Sequence, residues 1–364
     1  MNNWQIKDLK GVGDVELNLD SNQRVFTFLG TNGVGKTKTL ESLLIWFLVQ
    51  QKDFVTLFEK TIYSNGKTSL AKNIILNNKN LSFKEQFPKS FIEQFSQKQD
   101  YVFSYVGAKY RSELVDKKYL KQNSQNNLLN SYFSQIIQAI VNDDISELGF
   151  NKNIHQWIID RARFINPYQI ERDNSQLAIE SVLQCLHKID SVFDDKFLQI
   201  NENDNVYLKV NGEVLELSEL SSGFLSLVKI IQSIIASFSA FTNEKDLLNV
   251  KGVVLIDEIE SHLHLEWQVK IIPILKNLFP NTTFYITTHS PLVLSQLNEG
   301  EAYLLKRDED NVVRSHIINS PNTRTLSNVL IDAFGINLNQ LKIDNISNIN
   351  QSKVKNKLLE LLDK

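Results

Sequence analysis

Eight residues, Gly30-Thr31-Asn32-Gly33-Val34-Gly35-Lys36-Thr37, fit the spacing G-x-x-x-x-G-K-[ST] without a mismatch. The chemistry of that pattern is phosphate binding. Glycines let consecutive backbone N–H groups close around phosphate oxygens, and a helix beginning at the lysine aims its positive end at them. Lys36 would reach the β- and γ-phosphates, and the Thr37 hydroxyl would take one position on Mg²⁺. The expected nucleotide cradle is therefore Gly30, Thr31, Asn32, Gly33, Val34, Gly35, Lys36, Thr37 and the next position, Lys38. A second group is Asp257-Glu258, which closes the apolar run Val253 to Ile256. Opposite a phosphate loop, Asp257 would hold the metal, usually through water, and Glu258 would orient or deprotonate the attacking water.

Two further features are weaker. His289, in Thr287-Thr288-His289-Ser290-Pro291, follows another apolar strand 32 residues after Asp257. The carboxyl end of a parallel strand is where ligands bind in such sheets, so the histidine could sense the γ-phosphate as a donor. Leu220-Ser221-Ser222-Gly223 opens a long apolar helix, whose free N–H groups suit an anion. Taken alone, His289 reads as structural and Ser221 as an ordinary N-cap.

These residues need elements to hold them. Arg24 to Leu29 reads as a buried strand, and Lys36 to Leu48 as a helix with Leu40, Leu43, Leu44, Phe47 and Leu48 at helical spacing. Trp4 to Leu9 and Val15 to Leu19 read as strands joined around Gly11-Val12-Gly13, expected beside the phosphate-loop strand. The chain is polar and asparagine-rich from Tyr63 to Asn80, then aromatic to Tyr110, with Val102 to Val106 its best strand. Periodicity is mostly helical from Ser112 to about Asp195: Leu129, Tyr132, Phe133, Ile136, Ile137 and Ile140 share one face. Asn211-Gly212 between alternating runs predicts a hairpin, because a type I′ turn wants positive φ at both positions. A helix from Ser221 to about Phe241, strands at Val253–Ile256 and Phe284–Thr287, and a helix from about Leu263 to Leu278 follow. Pro273 should kink that last helix. Ala302 to Leu305 and Val312 to Ile318 form a closing hairpin, and the last forty residues small helices. The expectation is an α/β fold with a mixed, largely parallel sheet, a β-rich N-terminal part and an inserted helical subdomain. It divides into a lobe at 1–110 that carries the phosphate loop, helices at 111–200 and a second lobe at 201–364.

Composition narrows the class. With 364 residues, 42% hydrophobic and 22% charged, the chain is ordinary for a soluble globular protein. A formal charge of −3 predicts no global attraction to nucleic acid or membrane. The one cysteine, Cys185, allows no internal disulfide and no CxxC metal hook, which fits a reducing cytoplasm. Neither a signal peptide nor an uninterrupted membrane-length apolar run is present: Lys229, Gln232 and several serines break the segment Phe224 to Phe241. We expect a cytoplasmic protein.

In combination the motifs resemble those of the ATP-binding-cassette (ABC) class of P-loop ATPases. Gly30 to Thr37 matches Walker A, Leu220 to Phe224 the signature, Val253 to Glu258 Walker B and His289 the switch histidine, in the family's order. Ile256-Asp257-Glu258-Ile259-Glu260-Ser261-His262-Leu263-His264-Leu265-Glu266-Trp267-Gln268 is similar to the RecF-like, SMC-like and OLD-like branch without transporters, and within it to ATPase subunits of bacterial anti-phage systems of Septu, retron and Gabija type. The likeness covers roughly 1–60 and 200–340. It implies that Ser221, Ser222 and Gly223 clamp the γ-phosphate of ATP held by a second subunit. Ser261 to His264 would then be the D-loop of a head-to-head homodimer, or of a higher oligomer. Phe224 departs from the polar residue usual there, Ser222 replaces the first signature glycine, and His264 replaces the D-loop aspartate. Gln86 and Gln94 are the candidates for the Q-loop.

The expected function is an ATPase, with ATP and Mg²⁺ as cofactors, that regulates or scaffolds a separate effector, a nuclease, in phage defence. The alternative is a RecF-like DNA clamp in repair; a transport ATPase is weaker, given the His-Leu-His D-loop. His262-x-His264 as a metal pair and Asp308-Glu309-Asp310 as a nuclease D-x-D are weighed and set aside, the first because the two rings diverge, the second as an acidic turn. Tyr110-Arg111 reads as a phosphate or DNA contact or as surface. Lys117, Lys118 and Lys121 are too mixed with acids for a DNA footprint.

Overall fold

The structure is a computed structural model and describes residues 1–51, 54–55, 57, 71–82, 101–109, 125–145, 148, 154–163, 165, 175–242 and 244–348. Gln86, Gln94, Tyr110, Arg111, Lys117, Lys118 and Lys121 lie outside them, as does the chain beyond 348.

The chain begins with strands β1 (Asn2–Leu9), β2 (Gly13–Leu19) and β3 (Val25–Leu29), then helix α1 (Lys36–Leu48). Strands β4 (Asn73–Leu76), β5 (Lys79–Ser82) and β6 (Val102–Val106) lead to helices α2 (Gln125–Asn142), α3 (Ile154–Arg163) and α4 (Ser175–Ile189). Strands β7 (Phe193–Ile200), β8 (Val206–Val210) and β9 (Glu213–Glu216) make a small antiparallel sheet. Helix α5 (Ser222–Phe241) and strand β10 (Gly252–Ile256) come next, then short helices α6 (Leu265–Gln268) and α7 (Ile271–Leu278). Strand β11 (Thr282–Thr287), helix α8 (Pro291–Leu294), the hairpin β12 (Ala302–Arg307) and β13 (Val313–Ile317), and helices α9 (Leu326–Phe334) and α10 (Leu338–Asn348) complete it.

Among the described residues, ten strands form one mixed sheet in the order β5-β4-β1-β2-β13-β12-β3-β11-β10-β6, so the fold is α/β. Its five-strand end, β12-β3-β11-β10-β6, is parallel throughout. Strands β3, β6 and β10 are buried at every residue, which is why they read as unbroken apolar runs rather than alternating ones. Parallel order matters for function because it brings all five carboxyl ends, where the candidate residues sit, to one edge.

The first two strands do not flank the phosphate-loop strand as expected. Both edges of β3 are taken, by β11 and β12, and β2 pairs instead with β13. Arg314 of β13 clasps Glu16 of β2 at 3.0 Å, and the Tyr303 hydroxyl accepts from the Asp20 amide at 2.9 Å. The polar stretch before Asn80 holds the β4–β5 hairpin, turned by Asn77 and Asn78 at φ 45° and 71°. Strand β7 begins at Phe193, inside the last residues of the region read as helical to about Asp195. Its register shifts between Phe193 and Leu198, and a bulge of that kind erases the period-two signal.

Asn211 and Gly212 turn the β8–β9 hairpin at φ 52° and 83°, as the dipeptide predicts. The helix expected over 263–278 is two helices, broken at Val269–Lys270. Pro273 is the third residue of α7, where the missing N–H has no partner to lose, so it caps a start instead of kinking a middle. Helix α5 is long and apolar enough to cross a membrane by length and composition, with mean hydropathy 1.7, yet 83% of that window is buried against β6, α2 and α4.

Candidate nucleotide site

The phosphate loop joins β3 to α1 through three glycines that no side chain could replace cheaply. Gly30, Gly33 and Gly35 have φ of 150°, 79° and 105°, and a Cβ on Gly30 would stand 2.6 Å from the Leu305 carbonyl oxygen. At Gly35 it would meet Val12 at 2.7 Å, so the β1–β2 turn packs directly on the loop. Lys36, 6% exposed, donates to the carbonyls of Gly30 at 2.9 Å and Thr31 at 3.1 Å. Burial lowers its pKa, while the carboxylates of Glu258, Asp257 and Glu260 work to raise it. Lys38 faces elsewhere: its ammonium bridges Glu41 at 2.8 Å and Asp143 at 2.7 Å.

Strand β10 delivers Asp257 to the same spot. The Thr37 hydroxyl lies 3.1 Å from both Asp257 carboxylate oxygens, across 220 residues of sequence. Asp257 is 1% exposed and accepts from the Thr287 hydroxyl at 2.6 Å. That hydroxyl in turn accepts from the Glu258 amide at 2.7 Å, which steadies Glu258 in a left-handed backbone at φ 44°. The Glu258 carboxylate accepts from the Ser261 hydroxyl at 3.1 Å. His289 stands at the carboxyl end of β11, half-buried, with no ring hydrogen bond among the described residues.

The donor set fits the expected cofactors. Hydroxyl and carboxylate oxygens in contact are the ligands a hard cation accepts, and glycine amides with a buried lysine suit a triphosphate. No cluster of three or more His, Cys, Asp or Glu that could hold a metal exists among the described residues, His262 and His264 included. Mg²⁺ commonly relies on one or two protein oxygens plus phosphate and water, so a two-ligand site is sufficient. An open groove of about 500 Å³ borders the loop, lined by Thr31 to Val34, Leu304 to Arg307, Ile331, Phe334 and Gly335.

The signature residues join a different neighbourhood. Ser221 caps α5, its hydroxyl accepting from the Phe224 amide at 3.3 Å, and Ser221 and Ser222 are both exposed. Gly223 must be glycine because a Cβ would overlap the His264 ring. The Ser226 hydroxyl donates to the Ser261 carbonyl at 3.3 Å. Phe224 is core: it stacks on Phe193 at 4.6 Å and packs on Trp267 at 5.6 Å. Asp308 and Asp310 are held by Arg314, at 3.1 and 2.8 Å, and form the turn of a hairpin.

Glu260 and Gln268 were given no role by the sequence, and the bonds of Thr287 to Asp257 and of Ser261 to Glu258 were not foreseen. Thr287 had a visible signal, a hydroxyl at the end of the strand before His289. The others depend on contacts that only folding creates.

Comparison with known proteins agrees with the geometry. The AAA_21 family profile, described as "AAA domain, putative AbiEii toxin, Type IV TA system", matches residues 25–295. The chain is 26% identical to the Septu protein PtuA of Bacillus thuringiensis over 91% of its own length and 84% of that protein. It is 35% identical to the Septu protein PtuA of Bacillus mycoides, over 38% of this chain and 18% of that one. The "Retron Vc95 probable ATPase" of Vibrio cholerae is 34% identical over 44% of this chain and 29% of its own. The chain thus spans most of the first relative and under a third of the other two. Among solved structures, an SMC head bound to the C-winged helix domain of ScpA aligns with TM-score 0.46 at 12% identity, covering 88% of this chain and 99% of that one. A family match over residues 25–295, around a phosphate loop closed on its partner aspartate, means that the chain belongs to the AAA_21 family of P-loop ATPases.

Proposed function

We propose that this chain binds and hydrolyses ATP with Mg²⁺, and that it works as a nucleotide-dependent dimer regulating or scaffolding a separate effector, a nuclease, in bacterial anti-phage defence. The observation that carries the reading is the contact of Thr37 with Asp257, which joins the two halves of a Mg-nucleotide site. In this reading the amides of Gly30 to Lys38 and the Lys36 ammonium bind the phosphates, and Thr37 and Asp257 hold the metal. Bound Mg-ATP supplies the electrophilic γ-phosphorus and the leaving group. Glu258, aimed by Ser261 and by the Thr287 hydroxyl, orients the attacking water and takes its proton, while His289 donates to the γ-phosphate side.

The dimer reading draws on the signature. Helix α5 packs against β6, three strands from β3 in the sheet, and Ser221 and Ser222 are exposed at its start. Facing a second copy, they would meet its nucleotide. Residues 1–110 and 201–364 act as the two ATPase lobes, with 111–200 interposed. The defence role rests on the names of the Septu and retron relatives.

The test compares ATP turnover and solution mass of wild type and Glu258→Gln, with and without ATP. Turnover should fall on the order of 10²–10⁴-fold with binding intact, and ATP should trap the variant in a larger species. Wild type that binds ATP without turnover or a change of mass would make nucleotide a structural ligand.

A further inference from the structure

We infer that Glu260 is a positioning residue that couples the signature-facing segment 258–268 to the His289 loop; this rests on the hydrolytic role proposed above for His289. Glu260 is not among the residues that the phosphate-loop and aspartate motifs single out. Its carboxylate is nevertheless fully engaged. One oxygen accepts from the His289 amide at 2.6 Å and the other from the Thr288 hydroxyl at 2.6 Å. Thr288 passes the order along by accepting from the Ser290 amide at 3.0 Å. Gln268 adds a second tether from the same segment: its amide nitrogen donates to the Leu263 carbonyl at 2.9 Å, and its oxygen accepts from the Ser290 hydroxyl at 2.7 Å.

The other side of the segment is bound to the start of α5. Ser226 donates to the Ser261 carbonyl, and the His264 ring fills the space left by Gly223. One continuous chain of contacts therefore runs from the exposed signature serines, through 261–264, to the backbone of His289. A load applied to the α5 start is delivered to the histidine through Glu260. The chemistry explains why the residue is Glu. Two donors face two acceptor oxygens, and charge makes both bonds short. Asp would fall one methylene short. Gln keeps one acceptor for the His289 amide, and the Thr288 hydroxyl can turn to accept from its NH₂.

The test is steady-state ATP turnover of the full chain for wild type, Glu260→Ala, Glu260→Gln, His289→Ala and the Glu260→Ala/His289→Ala pair. A misplacement of about 1 Å costs on the order of 10²-fold in rate. Glu260→Ala should therefore lower kcat roughly 10- to 100-fold while KM for ATP stays within about threefold, and Glu260→Gln should restore most of the loss. In the His289→Ala background the Glu260→Ala change should cost less than about twofold, since its effect passes through the missing ring. If His289→Ala is impaired but Glu260→Ala matches wild type, or if the two losses multiply, Glu260 is not the coupler. A wild type without turnover overturns the hydrolytic reading, a fully active His289→Ala overturns only the role given to His289, and either takes this inference with it. Should Glu260→Ala fail to fold, Thr288→Val, which removes one arm, carries the same comparison, with Glu260→Gln still expected near wild type.

Discussion

Asp257 and Glu258 are neighbours in sequence but meet different partners, and the difference sets their proposed roles. Asp257 lies under Thr37 and Thr287, at 1% exposure, where its oxygens can only share a metal or accept from hydroxyls. Glu258, turned outward by a left-handed backbone, keeps a half-exposed carboxylate for water. A third acid, Glu41 on α1, sits behind the loop at 2% exposure. Burial pushes its carboxyl up to about 7 against the opposing pull of Lys38, whose ammonium Asp143 shares at 2.7 Å. The sign follows from proton binding. A carboxyl raised in the folded state binds protons more tightly there than in the unfolded chain, so its contribution is most favourable at low pH. It is lost as pH rises from about 4.5 to about 7. Relative to wild type, Glu41→Gln should gain roughly 2–3 kcal/mol between pH 5 and pH 8, read from urea midpoints at both values. A pH-independent gap would mean that Glu41 titrates as an exposed carboxyl does.

Helix α5 shows how an element can carry a surface motif on a core scaffold. Its N-cap Ser221 and first residue Ser222 are exposed, and from Gly223 onward nearly every position is buried. Phe224, which replaces the polar residue expected after the signature glycine, joins α5 to β7 and α6 by stacking between Phe193 and Trp267. Phe224→Ala should therefore destabilise the protein by about 3–5 kcal/mol, seen as a lower denaturant midpoint. Because the start of α5 also seats His264, turnover should fall with it. An unchanged midpoint would mean that the aromatic stack contributes little and that the departure from the family pattern has another origin.

At the scale of the molecule, one parallel edge gathers the ends of β3, β10 and β11, and with them Gly30, Asp257 and Thr287. The same sheet ends in an antiparallel wing, β5-β4-β1-β2, whose β1–β2 turn touches the phosphate loop through Val12. Net charge of −3 gives the surface no overall pull on nucleic acid. Duplex DNA without any partner should therefore bind more weakly than about 10⁻⁶ M at physiological salt. Tighter binding that weakens steeply between about 50 and 200 mM salt would favour a DNA clamp over an effector-directed ATPase.

Much of the site was legible before folding because its chemistry is local. A glycine loop between a strand and a helix, two acids at the end of an apolar strand, and a hydroxyl-rich strand end before His289 are each short patterns, tied to backbone conformations that their own residues impose. Strands β3, β6, β10 and β11 and helices α1 and α5 were legible for the same reason, since burial on all sides or on one face writes itself into hydrophobic spacing. What needed tertiary structure was every relation between distant segments. Sheet order was one: nothing in Trp4 to Leu19 says that β12 and β13 will come between those strands and β3. The bulged β7 and the polar β4–β5 hairpin were others, because a shifted register in the first and short, half-exposed strands in the second leave no clean period. Glu260 and Gln268 belong to the same class. A carboxylate or an amide acquires a role from the donors brought opposite it. Those donors arrive from the loop after β11 only once the sheet has set its order, because the hydrogen bond is directional and short while the sequence separations are long.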